Sequence, residues 1–510
     1  MARSAVTIAD FPRWPGTAAA VLVLFLTLGT LMAVGARAQG ASLAAADMAA
    51  IRFTLLQASL SAVVSVGLAI PMARALARRR FVGRGALVLL LGAPFILPVI
   101  VAIFGLLAVF GRNSVLSTLF GWVGLPPVSI YGLPGVVLAH VFFNLPLATR
   151  LILQGWLAIP AERFRLAASL NAPVWRLLEA PLLRAVAPGA FVVVFLLCLT
   201  SFAVALTLGG GPRATTIELA IYQALRFEFD LGHAAALALV QFGLCAVVAI
   251  LAWFVSSPSG LGMGLDRVIE RWDRGGRLPD ALLIGVVTLF LALPLAMVVW
   301  RGLPGLAQMP GSVWVAAARS LGVALASVAL MLVMALALAL RGGGLVALVG
   351  LLPLATSSLV MGTGLFLLVF PLGLVAGLAL PVTAVVNAVM SLPFAMRVMT
   401  PAVAQAEAGY GRLATSLGLS GWTRLRWLIL PRARRALGFA AGLTAALSIG
   451  DLGVIALFAG ERAETLPLAM SRLMGAYRME AAAGAGVLLL ALSLGMFWIF
   501  DRGGCVDAEA

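Results

Sequence analysis

The residues of this 510-residue chain that could do chemistry are a few polar side chains placed inside long apolar runs. His140 and Asn144 lie in one run, Asn387 in a second and Asp451 in a third. Polar side chains inside a bilayer are costly and usually face the interior of a helix bundle. These four are therefore candidates for lining a path through such a bundle. Hydrogen bonding between helices is the alternative for His140, Asn144 and Asn387.

Asp451 is the one acid that the sequence places well inside an apolar run. Gly450 and Gly453 beside it allow a close approach of backbone or ligand. A lone carboxylate here could help a cation cross that part of the membrane. The alternatives are a salt bridge to an arginine such as Arg319 or Arg472, or a cap at a helix break.

A basic loop that occurs twice is the other candidate for function. Residues 144–150 align with residues 391–397, and residues 166–170 align with residues 413–417 at the same offset. In each copy, the first loop (150–188) and the second loop (397–435), a short amphipathic helix carries two leucines four residues apart, and a tryptophan follows. A constant offset across a membrane segment and a polar loop indicates internal duplication. An apolar ridge outside the membrane needs a groove on a partner protein.

Membrane helices must position these residues. Hydrophobic residues make up 63% of the chain and charged residues 11%. Apolar runs of about 20 residues, each long enough to cross a bilayer, recur along it. We predict an all-α polytopic membrane protein of about twelve transmembrane helices in two tandem, parallel six-helix repeats. The net charge of +16 comes from 35 arginines, which lie mainly on one side. The positive-inside rule makes that side cytoplasmic, so the charge indicates topology and not a nucleic-acid partner.

The predicted division of the chain follows these runs. It comprises an N-terminal helix and outside loop (1–50), a first transmembrane domain (51–257), a cytoplasmic linker (258–280), the first helix of the second half (281–315), a second transmembrane domain (316–502) and a cytoplasmic tail (503–510). Both termini are expected in the cytoplasm. Two outside segments, 209–230 and 460–480, complete the plan, and the centre of the first is predicted to be an amphipathic helix on the outer surface.

Several enzyme classes are excluded by the sequence. The chain has no lysine and no G-x-x-x-x-G-K-[ST] motif, so it cannot hydrolyse ATP with the usual phosphate-binding loop. No Ser/His/Asp or paired-carboxylate arrangement stands out. The two histidines, His140 and His233, are too far apart to suggest a metal site. We expect no enzymatic activity, no metal and no cofactor.

The two loops resemble the cytoplasmic signature loop of ABC-importer permeases of type I. The matching residues are Arg412-Leu413-Ala414 followed by Gly418, and Arg165-Leu166-Ala167 followed by Asn171. In that family the loop forms a coupling helix that sits in a groove of an ATP-binding subunit. The resemblance implies the following coupling residues: Leu166, Ala167, Ala168, Leu170, Asn171, Trp175, Leu413, Ala414, Leu417, Gly418 and Trp422.

The loops also depart from the family pattern. The acidic first residue of the signature is Arg165 in one copy and Arg412 in the other, and the glycine is Asn171 in the first. The distance from tryptophan to the following proline is also shorter in the first loop. We therefore expect the first loop to sit in the groove of its ATP-binding subunit less conventionally than the second.

The resemblance extends over nearly the whole chain. Residues 131–151, 208–225 and 447–458 look like the fused permease subunit of bacterial thiamine importers. That family implies an inner-membrane complex with two ATP-binding cassette subunits, a periplasmic thiamine-binding protein docked on the outside segments, and thiamine as the substrate. Its phosphates are possible further substrates. Membrane lipid is the remaining partner.

Two alternatives remain open from the sequence. The iron(III) importer permeases share the duplicated layout, although the three stretches favour thiamine. A twelve-helix secondary transporter would share the composition and topology. It would not need a duplicated amphipathic loop on the cytoplasmic side, and it would more often place several ionisable residues at mid-membrane.

Overall fold

The fold is a bundle of membrane-length helices. The computed structural model describes residues 12–38, 43–111, 114–122, 130–209, 211, 214–254, 268, 276–458, 460 and 463–505. Every regular element in these ranges is helical. Most of the predicted linker and the last five residues of the predicted tail lie outside the described residues.

Each half contributes long helices joined by short ones. The main helices of the first half are α1 Trp14–Arg37, α2 Ala45–Arg78, α3 Arg84–Leu90, α4 Val99–Phe110, α5 Leu133–Leu157, α6 Ala161–Ser169, α7 Ala180–Leu199, α8 Ala203–Leu208, α9 Ile217–Gln223 and α10 Leu231–Phe254. Those of the second half are α11 Arg277–Gly305, α12 Gly311–Arg341, α13 Gly344–Leu351, α14 Ser358–Val369, α15 Val375–Ser416, α16 Leu430–Gly450, α17 Gly453–Phe458, α18 Leu466–Gly475 and α19 Met479–Cys505.

The membrane spans confirm the predicted all-α polytopic architecture. Within the described ranges, ten helices are long and apolar enough to cross a membrane. The segments Leu348–Ala355 and Ser358–Leu372 form a further candidate span that is bent by 91°. These spans account for all the predicted runs except the third run of the first half, which is divided into α3 and α4.

The third run of each half is thus a broken helix. In the first half a short 3-10 turn, Ala93–Phe95, separates α3 from α4, and Pro98 precedes the first residue of α4. In the second half the turn Leu352–Ala355, which contains Pro353, separates α13 from α14. Proline lacks the backbone N–H that would continue the helix, and its ring obstructs the preceding turn. The two breaks are equivalent, so they belong to the repeated plan.

The first helix of each half also packs against the other half. Helix α1 packs against α12 and α14 of the second half, and α11 packs against α4 of the first half. The approach is close, because a Cβ atom built on Gly105 of α4 would lie 2.6 Å from the carbonyl oxygen of Pro294 on α11. A Cβ atom on Gly364 of α14 would lie 2.6 Å from the carbonyl oxygen of Thr30 on α1. Small residues permit such contacts between membrane helices. Each half is therefore held by a helix of the other.

Candidate functional site

The ridge of the first loop is exposed on a short helix. Helix α6 presents Leu166, which is 60% exposed, and the following turn presents Leu170, which is 68% exposed. Trp175 begins a π-helical turn, Trp175–Glu179, that leads into α7, and its side chain is half exposed. Ala167, by contrast, is buried and rests on the body of the protein. The loop therefore exposes large apolar side chains of the kind that a partner groove would cover.

The second loop repeats this surface, but on the last turn of the long helix α15, so the expectation of a separate short helix is wrong for this copy. Leu413 and Leu417 are more than half exposed, and Trp422 is 71% exposed. Ala414 is buried at the position equivalent to Ala167. The predicted residues Ala168, Asn171 and Gly418 are exposed as well. The structure thus brings the predicted coupling residues together in two equivalent patches.

Asn171 and Gly418 occupy the same kind of turn. Both have positive φ angles, 48° and 68° respectively. In the first loop, Ala172 N donates to Ala167 O at 2.8 Å, and in the second, Leu419 N donates to Ala414 O at 2.9 Å. This bond closes a Schellman turn, which needs a left-handed residue and accepts asparagine after glycine. The substitution of Asn171 for glycine therefore leaves the backbone unchanged, and weaker seating of the first loop stays a prediction.

The support beneath the two patches differs. In the second loop, Arg424 Nε and Nη2 donate to the Glu407 carboxylate at 3.0 and 2.5 Å, and both side chains are buried. In the first loop, Arg74 Nε on α2 donates to the two oxygens of Glu179 at 3.1 and 3.0 Å. In the second loop the pair therefore joins the end of α15 to the turn that precedes α16, whereas in the first loop the pair joins the turn that precedes α7 to α2.

His140 and Asn144 belong to a buried polar cluster in the first half. Ser61 Oγ lies 3.3 Å from His140 Nδ1, and Asn144 Nδ2 donates to Cys198 Sγ at 3.3 Å. Gln57 Nε2 donates to the carbonyl oxygen of Cys198 at 3.0 Å. These bonds connect α2, α5 and α7 within one half. They match the alternative of hydrogen bonding between helices.

Asn387 belongs to the equivalent cluster of the second half. Its Nδ2 donates to Ser448 Oγ at 3.0 Å, and Ser327 Oγ lies 3.0 Å from the same atom. Ser327 Oγ also donates to the carbonyl oxygen of Ala384 at 3.1 Å. The cluster therefore joins α12, α15 and α16. A pathway role for His140, Asn144 and Asn387 stays a prediction, since all three also serve to hold helices together.

Asp451 lies at the helix break between α16 and α17. Its Oδ1 accepts a hydrogen bond from Gly453 N at 3.2 Å, so the carboxylate caps α17. Arg472 pairs with Glu464 instead, at 3.1 Å, and Asp451 forms no ion pair within the described part of the chain. Of the structural alternatives, the cap is the one observed.

The position of Asp451 is the junction between the halves. A Cβ atom on Gly450 would lie 3.0 Å from Pro98 Cα, at the start of α4 in the first half. A Cβ atom on Gly453 would lie 3.2 Å from Ser358 Oγ, at the start of α14. The beginnings of the two broken helices therefore meet on either side of this acid.

The expectation of an outer amphipathic helix is wrong. Helix α9, in the centre of segment 209–230, buries Ile217, Glu218, Leu219 and Ile221. The polar residues of this stretch have an amphipathic spacing, but neighbouring helices cover both faces. Thr216 caps this helix by accepting a hydrogen bond from Leu219 N at 3.3 Å, so the sequence indicates where the helix begins but not that it is buried.

The comparisons with known proteins agree with the duplicated architecture. No family model matches the chain. The thiamine transport system permease protein ThiP of Salmonella typhimurium is 40% identical over 96% of this chain and 97% of its own length. The protein of the same name from Brucella abortus is 38% identical over 90% of this chain and 88% of its own length. The molybdenum transport system permease protein ModB of Azotobacter vinelandii is 30% identical and aligns 92% of its length with only 40% of this chain, as a single repeat would.

These matches confirm the resemblance to thiamine-importer permeases that residues 131–151, 208–225 and 447–458 indicated. With its ten or more apolar spans, the chain is a multi-pass membrane permease and not an enzyme. It belongs to the family of thiamine transport system permease proteins.

Proposed function

We propose that this chain is the membrane subunit of an ATP-driven importer that carries thiamine into the bacterial cytoplasm. The observation that carries the proposal is the similarity to thiamine permeases over nearly the full length, at 40% identity. The arginine-rich loops support an inner-membrane location with both termini in the cytoplasm. The phosphates of thiamine are possible further cargo.

Two ATP-binding subunits would each cover one loop. Each patch offers two leucines and a tryptophan at an exposed helix–turn, the shape that enters a groove. A periplasmic thiamine-binding protein would dock on the opposite side, near segments 209–230 and 460–480. When the ATP-binding subunits approach each other, they would pull the two loops together. Because α1 and α11 cross between the halves, this movement would rotate the halves as interlocked units.

Asp451 is the residue we assign to the pathway of a cation. Thiamine carries a fixed positive charge, and Asp451 lies between the halves without an ion-pair partner among the described residues. A carboxylate in a site of low dielectric attracts a cation much more strongly than it does in water. Its capping bond to Gly453 leaves Oδ2 without a hydrogen-bond partner in the described residues. One oxygen thus holds the helix, and the other is available to a ligand.

The first test is transport by the assembled complex. Cells unable to make thiamine should need this chain to grow on trace thiamine, and their iron supply should not depend on it. In liposomes, uptake should require ATP, the ATP-binding subunits and the binding protein. A growth defect cured by ferric iron would move the assignment to the iron(III) permeases. Uptake driven by an ion gradient without ATP would instead indicate a secondary transporter.

The second test concerns Asp451. Asp451→Asn keeps the shape and removes the charge, so we expect slower thiamine uptake by a complex that still assembles. Asp501→Asn is the control, because it neutralises an acid near the end of α19, outside both loops and both outside segments. Unchanged uptake in Asp451→Asn would discard the pathway role and leave the cap alone.

A further inference from the structure

Glu218 is a buried acid without a counter-charge. Its side chain lies on α9 and is 1% exposed. Oε1 accepts a hydrogen bond from Gln241 Nε2 on α10 at 2.9 Å, whereas Oε2 has no hydrogen-bond partner among the described residues. Within that part of the chain Glu218 also forms no ion pair. A buried carboxyl group of this kind is costly, and proteins that retain one commonly use it.

Glu218 faces the boundary between the halves. Helix α9 of the first half contacts α14 of the second, where the Ser357 hydroxyl is a neighbour of the carboxyl group. The residue after Ser357 is Ser358, which contacts the other acid's segment. A Cβ atom on Gly453, two positions after Asp451, would lie 3.2 Å from Ser358 Oγ. Glu218 of the first half and the segment of the second half that carries Asp451 therefore meet consecutive residues at the start of the same broken helix.

The helix does not need an acid at this position. Ile217 N donates to Thr54 Oγ1 at 2.9 Å, and Leu466 N at the start of α18 donates to Ser320 Oγ at 2.8 Å. The two short helices are thus docked in the same way in the two halves. The residue after Leu466, equivalent to Glu218, is proline. The repeated structure forms with an apolar residue there, so packing alone does not account for the glutamate.

We propose that Glu218 is a second cation-recognising residue of the transport pathway, which contacts the positively charged substrate together with Asp451 when the halves separate. This inference rests on the proposed function, since it takes the cargo to be an organic cation. Separation of α9 from α14 would uncover the Glu218 carboxyl group at the boundary between the two halves. The two acids would then present negative charge from both sides of one passage, so the cation would meet both halves at once.

The protonation of Glu218 adds a pH dependence. Burial raises the pKa of Glu218 to about 8, and the nearby Ser357 hydroxyl and the hydrogen bond from Gln241 oppose that rise. The Cys245 thiol on α10 is the other titratable group beside it. Below pH 8 the group therefore keeps its proton in this closed arrangement. An arriving cation favours the ionised form and releases the proton to water, so higher pH should favour transport.

The experiment compares Glu218→Gln with Glu218→Asp in the complete complex in liposomes, with saturating thiamine-loaded binding protein. Glutamine keeps the size and hydrogen bonds and loses the charge, whereas aspartate keeps the charge and shortens the side chain. We expect uptake per ATP hydrolysed to fall about tenfold in Glu218→Gln, and less in Glu218→Asp. Stimulation of ATP hydrolysis by the binding protein should persist in both. Wild-type uptake should rise from pH 6.5 to 9, whereas uptake by Glu218→Gln should not.

A smaller loss of uptake in Glu218→Gln than in Glu218→Asp would overturn the inference. If Glu218→Gln transports as well as the wild type, or better than Glu218→Asp, the side chain serves hydrogen bonding alone. If Glu218→Gln does not assemble, thiamine uptake by Glu218→Asp and by the wild type is compared across the same pH range. Uptake that is independent of pH in both proteins rejects the cation-recognising role of Glu218. Failure of the proposed function is separate, because the wild-type complex would then transport no thiamine at any pH.

Discussion

The two loops present nearly the same surface on different supports. Asn171 and Gly418 make the same left-handed turn, and the leucines and tryptophans beside them are exposed in both copies. Beneath that surface, the second loop is closed by the buried pair of Glu407 and Arg424, whereas the first is tied to α2 through Glu179. Duplication has preserved what a partner would contact, and the interior has diverged. The two halves can therefore be perturbed separately by mutations that leave the exposed ridges intact.

The largest effect is expected from breaking the buried pair in the second loop. Arg424→Met leaves the Glu407 carboxylate buried without a partner, which should cost about 3–5 kcal/mol and prevent binding of one ATP-binding subunit. Thermal unfolding in detergent and the stoichiometry of co-purified subunits measure this. The matched control removes both charges, with Glu407→Leu and Arg424→Leu together. The double variant leaves no buried charge unpaired, so it should recover most of the loss.

The tryptophans should give the next largest effect, on binding rather than folding. Trp422 is 71% exposed and Trp175 is 50% exposed, so a partner would bury more of Trp422. Trp422→Ala should weaken binding of the ATP-binding subunit by about 2 kcal/mol, or roughly 30-fold, and Trp175→Ala by less. The melting temperature should not change. Trp300→Ala, at the far end of α11 from Arg277, is the control and should not affect assembly. Equal binding by all three variants would argue against docking at these ridges.

The features that sequence predicted are those with a local period. The apolar runs, their duplication and the exposed ridges follow from residue spacing along a single helix, so Leu166, Leu170, Leu413 and Leu417 could be identified without a structure. The breaks in the third helix of each half were harder to predict from the sequence. Pro98 and its neighbours interrupt the helix, but the run stays apolar on both sides of the break.

The features that sequence missed depend on which helices are neighbours. Glu407 and Arg424 lie 17 residues apart on opposite sides of a turn, and no periodicity pairs them. Glu218 lies in a stretch whose charges suggest an exposed helix, yet α10 and α14 cover it. The sequence singled out Asp451 as a lone acid. Only the packing of the helices shows that it lies between the starts of two broken helices, one from each half.

A smaller effect is expected from breaking the support of the first loop. Glu179→Gln removes the charge that Arg74 contacts, but the Arg74 side chain is 32% exposed and can be solvated. We expect a loss of about 1–2 kcal/mol, less than for Arg424→Met, and the first loop should separate from α2. Hydrogen exchange of α2 and of the turn Trp175–Glu179 measures this locally. A loss as large as that of Arg424→Met would show that the tie to α2 supports the first loop as strongly as the buried pair supports the second.

The smallest effects should come from exchanging the two turn residues. Asn171→Gly and Gly418→Asn swap the natural residues between equivalent turns, so each should change the free energy of unfolding by no more than about 0.5 kcal/mol. Asn171→Val and Gly418→Val are the matched controls. A β-branched residue is strained at positive φ, so each valine variant should lower the free energy of unfolding by about 1–2 kcal/mol. The loss should be similar in the two loops. Unfolding in detergent and ATP hydrolysis by the assembled complex provide the two measurements. If valine harms only the second loop, the two turns differ in function despite their common backbone, and the first loop is seated less tightly on its partner.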